Sequence, residues 1–328
     1  MRNGRVVLAL AVLAAVAGLR GAGGQAASAV EKLPAAPQLV ILDTDIGDDI
    51  DDAYALALVL RSPELRLLGI TTAYGDTELR ARLVDRYLKA VGRSDIPVAA
   101  GVRTPSGAMS QAAYARQEPA KKHADGAAFL LSQIRAHPGQ ITLIAIGPLF
   151  NVQAAIERDP ATFRKLRRVV IMGGSVYRGY DDRKSGDTHR PPDAEWNIRC
   201  DPAGARALLA AGVPVFVMPL DSTQVHLEQA KLAAIFSAGS ALTDQLTLLY
   251  HEWSGAGAWK TPTLFDPVAV TYALRPDLCP AKPMRLDADD KGFTRPVEGA
   301  PNAEVCLQSD EKGFVELLLG RIAGETAR

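Results

Sequence analysis

The sequence predicts an α/β fold: an open, mostly parallel, Rossmann-like sheet flanked by helices. Three features carry that prediction. Continuous apolar runs of strand length recur along the chain, at 38–42, 141–146 and 169–172 among others. Such runs fit parallel strands buried on both faces. Helical stretches alternate with them, which is the pattern of βαβ units. Polar or glycine-rich clusters follow directly on the run ends, and open α/β sheets build their sites at the carboxyl ends of strands.

The first strand, 38–42, ends at Asp43, and the stretch 53–60 reads as a helix closed by Arg61-Ser62-Pro63. A strand at 67–72 and a helix at 77–91 follow. The run 141–146 is the next strand, and Gly147-Pro148 turns the chain into a helix that begins near Asn151. A strand at 169–172 precedes Gly173-Gly174. The polar segment 175–195 is long enough to serve as a lid, although such loops are also merely mobile in some proteins. A helix near 202–211 leads into a strand at 213–218. Beyond Pro280 the pattern changes to short strand-like runs, such as 303–307, and a final helix at 311–322. Chemistry is therefore expected in the turns after Leu42, Thr72, Ile146 and Met172.

Basic and acidic side chains balance at 37 each, and 48% of residues are hydrophobic. That composition excludes a disordered chain and leaves no basic excess for binding nucleic acid. The N-terminus does not fit the fold. Two arginines within residues 1–5 precede an apolar run over 6–19, and small residues follow, with Ala-Ala-Ser-Ala at 26–29. This is the layout of a secretory signal peptide. A membrane anchor is the alternative, although the run is short for a bilayer. The expected organisation is a signal peptide at 1–28, a linker at 29–37 and one catalytic domain at 38–328. The mature protein is then exported, periplasmic or secreted, and free of the membrane. Cys200, Cys279 and Cys306 lack the C-x-x-C spacing of a zinc site. Export permits a bridge between Cys279 and Cys306; two buried thiols are the alternative.

The segment Asp43-Thr44-Asp45-Ile46-Gly47-Asp48-Asp49-Ile50-Asp51-Asp52 places six carboxylates within ten residues, directly after a buried strand. Like charges so crowded repel and raise one another's pKa. A helix N-terminus after Gly47 relieves only part of this, since a dipole is worth at most ~2 kcal/mol. A bound cation supplies the rest, and an all-oxygen ligand set points to Ca²⁺ or Mg²⁺. A solvated acidic loop capping a helix is the plainer alternative. The spacing is not that of an EF-hand, because position five from Asp43 is Gly47 and position twelve is Tyr54.

The stretch LDTDIGDDIDDAYAL resembles the N-terminal signature of the nucleoside hydrolases, the inosine-uridine-preferring family and its bacterial relatives. Other pieces follow in the family's order: Ile70 to Asp76 (ITTAYGD), Ala145 to Asn151 (AIGPLFN), Ile171-Met172-Gly173-Gly174, Ala194 to Ile198 (AEWNI) and Phe265 to Ala269 (FDPVA). The resemblance spans about residues 38–275. It implies one Ca²⁺ held by Asp45, Asp52, the backbone carbonyl of Ile146, and Asp266. It implies hydrolysis of the N-glycosidic bond of a nucleoside by direct attack of metal-bound water. Asp45 then acts as general base, and free ribose and nucleobase are the products. Glu195 and Asn197 match the ribose-binding motif, and in an extended segment their side chains point the same way. Asp49, Asp51 and Asp76 complete the expected substrate-binding set. The partner is a small-molecule nucleoside, with a homo-oligomer left open.

The chain departs from the family at several positions. The Asp51-Asp52 pair stands two residues further from Gly47, so Asp49, Asp51 and Asp52 compete for the metal and sugar roles. The second-strand motif commonly ends Gly-Asn and here ends Gly75-Asp76. Phe265 stands where members often carry a His that serves leaving-group protonation. The Asn expected shortly before Glu195 is absent, with His189 near its place. His189, Tyr177, Tyr180 and Trp253 are candidates for contacting the base. Two readings compete with the hydrolase. Asp43-Thr44-Asp45 after a strand mimics the Asp-x-Asp of haloacid-dehalogenase-type phosphohydrolases, although the surrounding carboxylates would repel phosphate. An exported ribose- or nucleoside-binding protein without turnover is the other.

Overall fold

The computed structural model describes residues 36–182, 186–188, 190–255 and 260–324. The expected signal peptide, nearly all of the linker, and His189 lie outside the described residues. Eleven strands are described: β1 (Gln38–Thr44), β2 (Leu65–Thr72), β3 (Val98–Ala100), β4 (Ala124–Asp125), β5 (Thr142–Ala145), β6 (Arg168–Met172), β7 (Val215–Met218), β8 (Ala281–Met284), β9 (Leu286–Ala288), β10 (Thr294–Pro296) and β11 (Ala303–Cys306). Nine of them form one sheet in the order β4-β3-β2-β1-β5-β6-β7-β11-β8, while β9 and β10 pair separately. Every pairing in the large sheet is parallel except β8 with β11. The fold class expected from the sequence is the one observed.

Thirteen α-helices cover the sheet: α1 (Asp51–Leu60), α2 (Thr77–Ala90), α3 (Ala112–Arg116), α4 (Gly126–Ala136), α5 (Phe150–Arg158), α6 (Pro160–Phe163), α7 (Trp196–Cys200), α8 (Pro202–Leu209), α9 (Leu220–Thr223), α10 (Gln229–Ser237), α11 (Ala241–Ser254), α12 (Phe265–Leu274) and α13 (Glu311–Ile322). The strand pleat sorts the core into two layers. Val40 and Leu42 pack with α1, α2 and α10 to α13 on one face, and Ile41 packs with α4, α5 and α8 on the other. A fully buried Leu or Val contributes about 1.5–3 kcal/mol to such a layer.

Two features aim the sheet at one end. Strands β2 to β4 extend from one side of β1, and β5 to β7 extend from the other. The strand order therefore reverses between β1 and β5, and the crevice above such a switch point is where α/β sheets bind ligands. Helices α1 and α12 are also unusual. All of α1 except Leu60 is buried, and α12 is buried from Asp266 to Ala273. A helix apolar on every side belongs in the core. The two pack against each other, and each carries acids in its first turn: Asp51 and Asp52 on α1, Asp266 on α12.

The C-terminal strands close the far edge. Strand β11 inserts between β7 and β8, and a Cys279–Cys306 disulfide, Cα–Cα 5.6 Å, ties its end to the segment that follows α12. The bridge resolves the choice that the sequence leaves open between a disulfide and two thiols.

Candidate active site

The carboxyl ends of β1, β5 and β6 open into a cavity of about 470 Å³. Asp45, Asp48, Asp49, Asp51, Asp52 and Asp266 line it, as do Ile146, Glu195 and Asn197. Gly47, with φ of +126°, permits the turn that returns the acidic loop toward the sheet. Gly147 permits a close approach: a Cβ there would lie 2.8 Å from Asp45 Oδ1.

Asp51, Asp52 and Asp266 come together. Each offers a carboxylate oxygen, and these oxygens lie within 4.8 Å of one another. All three are buried, with exposures of 3%, 4% and 4%. The Asp266 amide donates to Asp51 Oδ2 at 3.2 Å, and the Thr44 hydroxyl donates to Asp52 Oδ1. Burial, reinforced by mutual repulsion, raises all three well above the ordinary carboxylate range. Burial also pushes Asp45 up to about 7, while the Arg80 guanidinium draws it back and Asp48 and Glu195 repel it. The donor chemistry fits a hard cation: the facing groups are carboxylates, with no thiol or imidazole among the described lining residues.

Asp43 has a different task. Its Oδ1 accepts from the Thr71 hydroxyl and from the Asn151 amide, the latter at 2.6 Å. The Asn151 amide also donates to the Thr72 carbonyl, so one side chain ties together the ends of β1 and β2 at the start of α5. Burial raises Asp43 to about 6. The Ile146 carbonyl accepts from Asn197 Nδ2 at 3.1 Å, and the same nitrogen donates to the Met172 carbonyl. Asn197 thus joins the ends of β5 and β6 at the cavity floor.

Two sequence expectations change on the structure. Glu195 and Asn197 do not share an extended segment. Glu195 is the N-cap of α7, and Asn197 lies within that helix. The Glu195 carboxylate accepts from the amides of Asn197 at 2.8 Å, Gly174 at 2.8 Å and Ile198 at 3.1 Å. Burial raises its pKa, and those three donors hold it back. Capping aims the carboxylate where strand alternation was expected to do so. Asp76 is not part of the lining. It caps α2 through the Leu79 amide and pairs with Arg103 at 3.3 Å. A carboxylate at a helix N-terminus is stabilised where it stands, which accounts for an acid following Gly75. Asp49 lines the cavity and is exposed.

Of the base-contact candidates, Tyr180 lines the cavity, whereas Tyr177 and Trp253 do not. Tyr74 and Trp196 join the lining and meet edge to face, with centroids 5.9 Å apart. Sequence reasoning does not single out Arg80, which is 2% exposed. Its Nε donates to the Tyr74 carbonyl at 2.8 Å, its Nη1 to the carbonyls of Asp45 and Ile46, and its Nη2 pairs with Asp48. It clamps the acidic loop from below. Its sequence signal is helical spacing with the buried Leu83, Val84 and Tyr87.

A carboxylate-lined cavity at the switch point of a parallel sheet is where an α/β enzyme binds its ligand. The family model described as inosine-uridine preferring nucleoside hydrolase matches residues 40–316, and the chain belongs to that family. It is 31% identical over 319 residues to the pyrimidine-specific ribonucleoside hydrolase RihA of Citrobacter koseri, covering 87% of this chain and 97% of that protein. It is 30% identical over 318 residues to RihA of Escherichia coli O9:H4 (strain HS), covering 86% and 97%. Among solved structures, a plant nucleoside hydrolase superposes with a TM-score of 0.77 at 26% identity, covering 88% of this chain and all of that one. A purine-preferring ribonucleoside hydrolase from Gardnerella vaginalis gives 0.71 at 23% identity, covering 88% and 98%, and shows the shared fold.

Proposed function

We propose that the protein hydrolyses the N-glycosidic bond of ribonucleosides with the help of one Ca²⁺, releasing free ribose and nucleobase. The observation that carries this reading is the convergence of Asp51, Asp52 and Asp266 within 4.8 Å in the cavity that Asp45 also lines. Asp45, Asp52, Asp266 and the Ile146 carbonyl are the groups that would hold the ion, with Asp51 beside them. Bound there, the ion supplies Lewis acidity and fixed positive charge.

The chain's own groups do the rest. Asp45 accepts the proton of the attacking water as general base. Positive charge develops on the sugar as the bond to the base breaks, and the surrounding carboxylates stabilise it. Glu195, locked by three backbone amides, and Asn197 grip the sugar hydroxyls. Attack by water without a covalent sugar intermediate inverts the anomeric centre. The names of the RihA relatives make pyrimidine ribonucleosides the first substrates to try. A panel of nucleosides, with free ribose and free base both measured, tests the proposal. Release of neither from any nucleoside, by folded protein supplied with Ca²⁺, would sink it.

We also propose export. The signal-like residues 1–28 and a disulfide of the kind that oxidising compartments maintain support it. Mass spectrometry of exported protein should find a chain starting near residues 25–30; intact Met1 in the cytosol would contradict export.

A further inference from the structure

Carboxylates dominate the cavity, so its walls accept hydrogen bonds more readily than they donate them. A nucleobase that departs with the electron pair of its glycosidic bond needs a donor. Phe265 lines the cavity and has no polar atom to offer. The ring beside it has one. Tyr180 packs edge-on against Phe265, with centroids 6.0 Å apart and an interplanar angle of 82°. Its hydroxyl oxygen accepts the Trp196 amide proton at 2.9 Å. Its own proton has no acceptor among the described residues.

Tyr180 is also fixed in place. Its amide donates to Asp193 Oδ2 at 2.9 Å. On either side of it, Gln224 donates to the Gly179 carbonyl at 3.0 Å and accepts the Asp181 amide at 2.6 Å. A donor pinned this way needs no reorganisation when charge appears.

We propose that Tyr180 is a catalytic residue for nucleobase release, its hydroxyl donating a hydrogen bond to the departing base. This rests on the nucleoside-hydrolysing reading above. The bond between the anomeric carbon and the base nitrogen breaks, with its electron pair going to nitrogen. The water oxygen forms the new bond to carbon, and the water proton goes to Asp45. The Tyr180 proton stays on the phenol, because burial and the nearby Glu195 charge hold that group well above its ordinary pKa. The base anion then takes its proton from solvent.

The test compares two leaving groups on Tyr180→Phe: uridine, whose base leaves poorly, and p-nitrophenyl riboside, whose nitrophenolate is already a stable anion. The expected result is a uridine rate that falls roughly 10- to 100-fold further than the nitrophenyl rate, the worth of a hydrogen bond to a charged group. Tyr180→Phe also removes the acceptor of the Trp196 amide, and a merely structural loss would lower both rates alike. An equal fall on both substrates overturns the proposal. A double variant, Tyr180→Phe with Phe265→His, places a donor on the adjacent ring and should recover part of the uridine rate; no recovery counts against a donor role. A parental protein inert toward both substrates overturns the nucleoside reading, and this inference with it. A parent active on both with no leaving-group difference in Tyr180→Phe overturns this inference alone.

Discussion

Two groups of acids in this molecule are treated in opposite ways. On α2, Glu78 and Asp85 flank His123, whose side chain is 1% exposed, at 2.6 and 2.8 Å, and Lys121 pairs with Asp85 at 2.8 Å. Burial would raise Asp85, but its partners outweigh burial and hold it below the ordinary range. The trio Asp51, Asp52 and Asp266 is buried more deeply, and no Lys, Arg or His stands among the described residues lining its cavity. Burying a charge without a partner is expensive. The fold supplies counter-charge where a carboxylate is structural. In the cavity Arg80 pairs with Asp48, and the proposed function assigns the counter-charge that Asp51, Asp52 and Asp266 still need to a cation.

The largest effect that can break this contrast is on turnover. Asp45→Asn keeps size and removes basicity, and should slow nucleoside hydrolysis by ~10²–10⁴-fold. Asp85→Asn should leave the rate within about threefold, since Asp85 and its partners His123 and Lys121 are not among the residues lining the cavity and distant sites act nearly independently. Rates measured side by side decide it, and a parental rate in Asp45→Asn would remove the general-base role.

Next in size is the response of stability to the ion. Ca²⁺ at a hundredfold excess over its dissociation constant should stabilise the parent by about 2.7 kcal/mol, roughly 4–5 °C in melting temperature for a domain of this size. Asp52→Asn should lose that gain. In chelator it should melt no lower than the parent, because it relieves repulsion among buried acids. A variant that melts lower in chelator and still responds to Ca²⁺ would assign Asp52 a structural role.

The smallest effect concerns pH. Hydrogen bonds to Asp85, opposed by burial and helped by Glu78, raise His123 above its ordinary 6.5. A raised folded pKa stabilises fully below the unfolded value, and that contribution is lost as pH rises through the folded one. His123→Gln should therefore cost on the order of 1–3 kcal/mol near pH 6 and less near pH 9. Denaturant melts at the two pH values test it, and a larger cost at pH 9 would reverse the sign.

Much of this arrangement is legible in the sequence because it is local. Apolar continuity marks β1, β5 and β6, and acids directly after Thr44 mark the cavity. What is not legible depends on distant parts of the chain. Arg80 shares a helix face with Leu83, Val84 and Tyr87, but the groups it clamps lie 32 to 35 residues earlier in the chain. Glu195 reads as part of an extended pair until Gly174, 21 residues earlier, donates to it. Asp76 reads as a sugar ligand because its role as the α2 cap is a matter of backbone geometry. The position of β11 between β7 and β8 is set by pairing across long separations, which no local pattern encodes.

The most direct measurement is the rate of base release from uridine by the purified protein, taken in chelator and again after Ca²⁺ is restored. If the buried carboxylates act through a cation, activity falls to background in chelator and returns with Ca²⁺, while Asp266→Asn stays inactive in both. An undiminished rate in chelator, from protein shown by elemental analysis to carry no metal, would contradict it.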